Sequence, residues 1–122
     1  MKAWRGSLTV DTNGRNDCVD LGEQILHAMQ ESRIREGLVT VCVPGSTAAV
    51  TTIEHAPGVV RDLQAAIERL FPESLRDAHH ETAGDDNGFS HIHAAFFGPS
   101  LRFRSWTDVS LWGRGSRSCC WF

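Results

Sequence analysis

The chain has 122 residues, a length that suits one domain built on one core and leaves no room for separate catalytic and regulatory halves. Its 12 Lys and Arg against 15 Asp and Glu give a formal charge of -3 with both signs scattered, so no basic face is available to neutralise the phosphates of a nucleic acid. Met1 to Gly6 carry no apolar signal core and no run is long and apolar enough for a bilayer, which points to a cytoplasmic protein with no nucleic-acid or membrane partner.

Ser7 to Val10 predict a first strand, ended by the turn chemistry of Asp11-Thr12-Asn13-Gly14. From Asp20 to Arg35 the apolar residues Leu21, Ile25, Leu26, Met29 and Ile34 recur at helical spacing, and Gly37 is placed to close that helix. Leu38 to Val43 are β-branched and almost continuously apolar, as in a strand buried on both faces; Pro44-Gly45 ends it and Ala48 to Ile53 form the next strand. Pro57 opens a second helix with Val59, Val60, Leu63, Ala66, Ile67 and Leu70 as its apolar stripe, and Pro72 stops it. Asp77 to Gly88 are polar and read as a loop. Ile92, Ala94 and Phe96 alternate with His91, His93 and Ala95, so Ser90 to Phe97 predict a strand, followed by a turn at Gly98-Pro99-Ser100. After Leu101, Arg, Trp and Cys crowd a short end with no period. The fold class that follows is α+β: a mostly antiparallel sheet with two main helices on one side, whose last strands are compromised.

Cys18, Cys42, Cys119 and Cys120 lack the paired spacing of a zinc knuckle and read as free thiols. Three polar clusters remain: Ser46-Thr47 after the Pro-Gly turn, Glu54 and Asp62 around the start of the second helix, and the histidines His79, His80, His91 and His93 with Asn87 between them. Imidazoles and carboxylates serve both as ligands of divalent metals and as acid-base groups. The same residues have plain structural uses: histidines hydrogen-bond at surfaces, acids favour helix starts, and Ser-Thr pairs form turns. On the predicted strand, His91 and His93 point to one face.

Four stretches decide between these uses. Val43-Pro44-Gly45-Ser46-Thr47-Ala48-Ala49 with Thr52-Ile53-Glu54, then Pro57 to Leu63, then Gly84-Asp85-Asp86-Asn87-Gly88-Phe89-Ser90-His91, then Gly98-Pro99-Ser100-Leu101, resemble in order and spacing the YjbQ-like (secondary thiamine-phosphate synthase) family from about Leu8 to Leu101. Two positions depart from its pattern: Asp77 stands where Tyr is usual, and Gly45 where one branch has His. The resemblance implies a homotrimer with a pocket at the subunit boundary, a bound divalent metal (zinc is a candidate) or anion, and a phosphate-bearing small-molecule substrate. By motif position it implies catalytic roles for Glu54, Asp62, His79 and His91, metal ligation by His79 and His91, and phosphate binding by Ser46, Thr47 and Asn87. His80 and His93 have no counterpart. The implied activity is a transferase joining a pyrimidine diphosphate to a thiazole phosphate; a non-catalytic metal- or ligand-binding trimer and an inactive truncated fragment are the alternatives.

Residues 1–101 form the family-like domain and 102–122 an atypical tail. The family continues after Gly-Pro-Ser-Leu with a valine-rich strand, an Asp-Gly-Arg-Leu turn and a closing strand reading Leu-Gly-Thr-Trp-Gln-Gln-Ile-Val-Leu-Val. Joining the last base of each codon from Arg102 to Phe122 to the first two of the next recovers that sequence. The genetic code forces Asp at the Trp106–Thr107 junction, Gly at Trp112–Gly113, and Leu-Leu-Val across Cys119 to Phe122. The tail thus reads as a displaced frame, opened by one lost base near the codons for Ser100 to Arg102.

Overall fold

The structure is a computed structural model that describes residues 1–72, 74 and 78–105 in full and the backbone of 116–121. Its described elements run β1 (Cys18–Asp20), α1 (Gly22–Ser32), β2 (Gly37–Cys42), β3 (Ala49–Glu54), α2 (Pro57–Leu70), α3 (Ala78–Ala83), α4 (Gly88–Phe97), β4 (Ser100–Ser105) and β5 (Ser116–Trp121). All strand pairs are antiparallel, in a three-stranded sheet β1-β5-β3 and a two-stranded sheet β2-β4. The α+β class holds. The bond Val50 N–H to Gly98 O (3.1 Å) ties β3 to the segment just before β4 and so links the two sheets at one end, while Val43 N–H to Pro99 O (2.9 Å) extends the β2-β4 ladder by one step.

β3 organises the interior. Ala49 joins Cys18 and Ile67 in one buried cluster, completed by Ile53, Val60, Leu63, Phe71 and Phe97. Val50 joins Leu21 and Ile25 in the other, with Val39, Val41, Leu101 and Phe103 beside them. Consecutive strand residues face opposite ways, so β3 presents Ala49 to α2 and Val50 to α1, and the two main helices meet opposite faces of that strand rather than lying together on one side as expected. The stripe read for α2 holds through Val60, Leu63 and Ile67 but not at Leu70, which is exposed; Pro57 occupies the first turn, where a missing N–H costs nothing, and Ile67 is the deepest residue.

Several expectations change in the structure. The first helix ends at Ser32, short of Arg35, because the Ser32 hydroxyl donates to Met29 O (2.6 Å) and accepts from Ile34 N–H (3.1 Å), while Arg33 takes a left-handed φ of 53°. Gly37 starts β2 rather than closing α1. β2 is not buried on both faces; Val39 and Val41 face the core and Leu38 is 71 % exposed, since β2 pairs with β4 alone among the described strands. Ser7 to Val10 form no ladder, although Leu8 and Val10 still pack on the Val50 cluster. Part of the polar stretch 77–88 is helix α3.

The largest revision is at Ser90 to Phe97, expected as a strand and found within α4, which begins at Gly88. Phe89, His93 and Phe97 recur every fourth residue and turn inward, while Ile92 and Phe96 are exposed. In this segment alternate and fourth-residue periods coincide, and the strand reading followed the wrong one. Gly98, with φ 89°, ends the helix. The last strands, expected to be compromised, are formed: Arg102 to Ser105 belong to β4, which pairs with β2 along Gly37–Cys42 and keeps Phe103 inward, and the backbone of Ser116 to Trp121 forms β5, paired with both β1 and β3. Asp77, Trp106, Trp112 and the tail side chains from 106 onward lie outside the described residues. Cys42 is a free, exposed thiol.

Candidate functional site

The turn between β2 and β3 and the first half of α4 meet on one side of the sheet. His91, in the first turns of α4, directs Nδ1 at the main-chain oxygen of Ser46, 3.0 Å away. A carbonyl only accepts, so Nδ1 carries the proton and Nε2 of the neutral ring keeps its lone pair. His79 arrives from α3, with Nε2 2.8 Å from Asp85 Oδ1 and 3.0 Å from Asn87 Oδ1. Both oxygens accept, so the proton sits on Nε2 and Nδ1 bears the lone pair. The two rings meet edge to face with centroids 4.8 Å apart. Around them lies an open depression of about 420 Å³ lined by Ala78, His79, Gly88, His91 and Ile92.

Asn87 stands immediately before α4 and its side chain makes no cap bond; it turns to His79 instead. That use of a residue type well suited to capping ties the helix start to the site. Ser46 contributes its carbonyl, and Thr47 beside it is exposed. The structure thus brings together His79, His91, Asn87 and Ser46. It does not bring Glu54 to them: β3 carries the chain from Ala49 to Glu54, about 17 Å of extended strand, and Glu54 is exposed at its far end. Asp62 is exposed in the second turn of α2, which starts from that same far end.

His93 has a different life. On a helix, residues two apart face nearly opposite sides, so His91 looks into the depression and His93 into the core. His93 is 3 % exposed, its Nε2 donates to Phe71 O (3.3 Å), and its ring packs against Phe71 and Phe89. The strand reading had put both histidines on one face. Sequence reasoning also passed over Asp85 and Asp86, which pair with His79 and His80 (2.8 and 2.6 Å); the equal six-residue spacing of His79-His80 and Asp85-Asp86 around Gly84 was the available signal.

The model of the UPF0047 YjbQ-like family matches residues 6–105. A UPF0047 protein of Methanocaldococcus jannaschii is 32 % identical over 92 residues, which cover 75 % of this chain and 64 % of that protein, slightly under two thirds of its length. YugU, a UPF0047 protein of Bacillus subtilis, is 27 % identical over 96 residues, 77 % of this chain and 70 % of that one. Among solved structures, a hypothetical protein from Aeropyrum pernix superposes with a TM-score of 0.87 at 26 % identity, covering 95 % of this chain and 85 % of that one. A YbjQ-like protein of unknown function from Sulfolobus solfataricus gives 0.85 at 26 % identity, covering 92 % and 80 %.

Proposed function

The chain belongs to the YjbQ-like UPF0047 family, and from that premise we propose that the His79–His91 depression binds a divalent metal ion, with zinc as the first candidate, together with a small phosphate-bearing substrate. One observation carries the reading: two imidazoles in contact, each anchored through one nitrogen to an oxygen acceptor, leave His79 Nδ1 and His91 Nε2 as lone-pair donors. An imidazole held by a carbonyl or carboxylate through its other nitrogen is the arrangement that metal-ligating histidines use.

The donor set fits a two-histidine share of a metal centre. Among the described residues no cluster of three His, Cys, Asp or Glu is in reach of one ion, so the remaining positions would fall to substrate oxygens, water or a second copy of the chain. Asp85, held on His79, adds a carboxylate beside the depression, which favours a cation there over a bare phosphate. A divalent ion supplies Lewis-acid polarisation of a bound phosphate oxygen. The chain's own residues orient the substrate through Asn87 and the Ser46–Thr47 turn, and either imidazole takes up a proton when it is not ligating. Glu54 and Asp62 complete the site from a neighbouring subunit of a homotrimer. The activity we assign joins a pyrimidine diphosphate to a thiazole phosphate, the thiazole nitrogen forming a bond to the pyrimidine's methylene carbon as the carbon–oxygen bond to the diphosphate breaks and diphosphate leaves; a trimer that binds the ion without turning over is the competing reading.

Zinc titration of the purified protein, followed by incubation with both phosphates, tests this. We expect one ion per chain and loss of most affinity in His91→Ala. An unchanged affinity in that variant sinks the pocket, and zinc binding without product in the chain with its frame restored sinks the transferase while leaving the binder.

The displaced frame is part of the same reading. What supports it is the coincidence of two boundaries: the family match ends at residue 105, and codon positions fixed by Trp106, Trp112, Cys119, Cys120 and Trp121 spell the family's ending one base out of register. An active trimer is then a property of the restored chain.

A further inference from the structure

His79 belongs to a short helix with few neighbours among the described residues. α3 has six residues, buries none of them, and touches α4 through few neighbours. Yet it must present His79, and not another residue, to His91. Successive residues of a helix point about 100° apart, so a small roll of α3 about its own axis would carry His79 out of the depression. The contacts that His79 itself makes, to Asp85, Asn87 and the His91 ring, all act through one flexible side chain and leave part of that roll open.

The second contact lies outside the depression. Gly84 has a left-handed φ of 75°, and its N–H closes on His80 O at 3.0 Å, ending α3 and reversing the chain. The returning chain places Asp85 Oδ1 2.8 Å from His79 Nε2 and Asp86 Oδ1 2.6 Å from His80 Nδ1. Two adjacent side chains, splayed by the helix, are therefore gripped by two adjacent carboxylates. We propose that His80 and Asp86 are positioning residues, whose pair sets the roll of α3 and so keeps His79 facing His91. Its consequence for ligand binding rests on the pocket reading above; its geometry does not.

Asp86 is 81 % exposed and His80 45 %, so the pair shifts the docked-to-rolled ratio of α3 by a factor of about 2–5 and no more. That suits a helix that must yield when a ligand enters. The experiment compares wild type, Asp86→Ala and Asp86→Glu by hydrogen exchange of the α3 amides and by the imidazole nitrogen resonances of His79. Expected for Asp86→Ala are about 2–5-fold faster exchange across α3, shifted His79 resonances, an unmoved His93 and an unchanged unfolding midpoint, with Asp86→Glu restoring both signals. Unaltered α3 exchange and His79 resonances in Asp86→Ala overturn the proposal, as does faster exchange spread equally over α4. These readouts need no ligand. Zinc titration is a separate arm: affinity in Asp86→Ala should fall by the same factor, and failure of His91→Ala to weaken zinc counts against the pocket alone.

Discussion

His91 and His93 sit two residues apart and should respond to truncation in opposite ways. In His93→Ala the loss is a 3 % exposed ring packed between Phe71 and Phe89, at centroid distances of 5.7 and 5.6 Å, and the bond that satisfies Phe71 O just past the end of α2. Truncating a buried ring leaves a cavity, and an orphaned carbonyl adds its own desolvation cost, together about 3 kcal/mol. For a chain of this size that lowers the unfolding midpoint by roughly 10 °C. His91→Ala removes a part-exposed ring and one bond to Ser46 O, about 1 kcal/mol or less. His93→Phe keeps a ring but leaves Phe71 O without its donor, and should fall between the two at about 1–2 kcal/mol. Thermal denaturation followed by circular dichroism measures all three. Equal losses in the two alanine variants would refute the helical placement, because only a strand puts both side chains in one environment.

Ile67→Ala should cost about 2–5 kcal/mol in chemical denaturation, since Ile67 is 2 % exposed and joins α2 to Ala49 and Cys18. Leu38→Glu should change stability by less than about 0.5 kcal/mol, its side chain being mostly in water. Gly98→Ala meets no atom within 4 Å, so any loss comes from the φ of 89° alone; about 1–2 kcal/mol is expected in the same denaturation assay. Resequencing across the codon for Ser100 should reveal one missing base, and an intact reading there removes the displaced frame.

Much of this protein was legible in one dimension. α2 declares itself because a proline at each end and six apolar residues at helical spacing leave no competing structure, and β3 because a β-branched run after Pro-Gly has none either. The partners Ser46, His79, Asn87 and His91 could be named from motif positions, since chemistry at a site restricts residue type locally. Tertiary structure decided the rest. Residues 88–97 satisfy both a strand period and a helix period, and only packing of Phe89, His93 and Phe97 against α2 and β3 selects the helix. With that choice His91 and His93 part company, a difference of direction that spacing in a sequence cannot carry. β1 has three residues, too few for any pattern; it exists because β5 offers it a ladder. Glu54 shares a motif with Ser46 but not a location, because the extended strand from Ala49 to Glu54 carries the chain about 17 Å away.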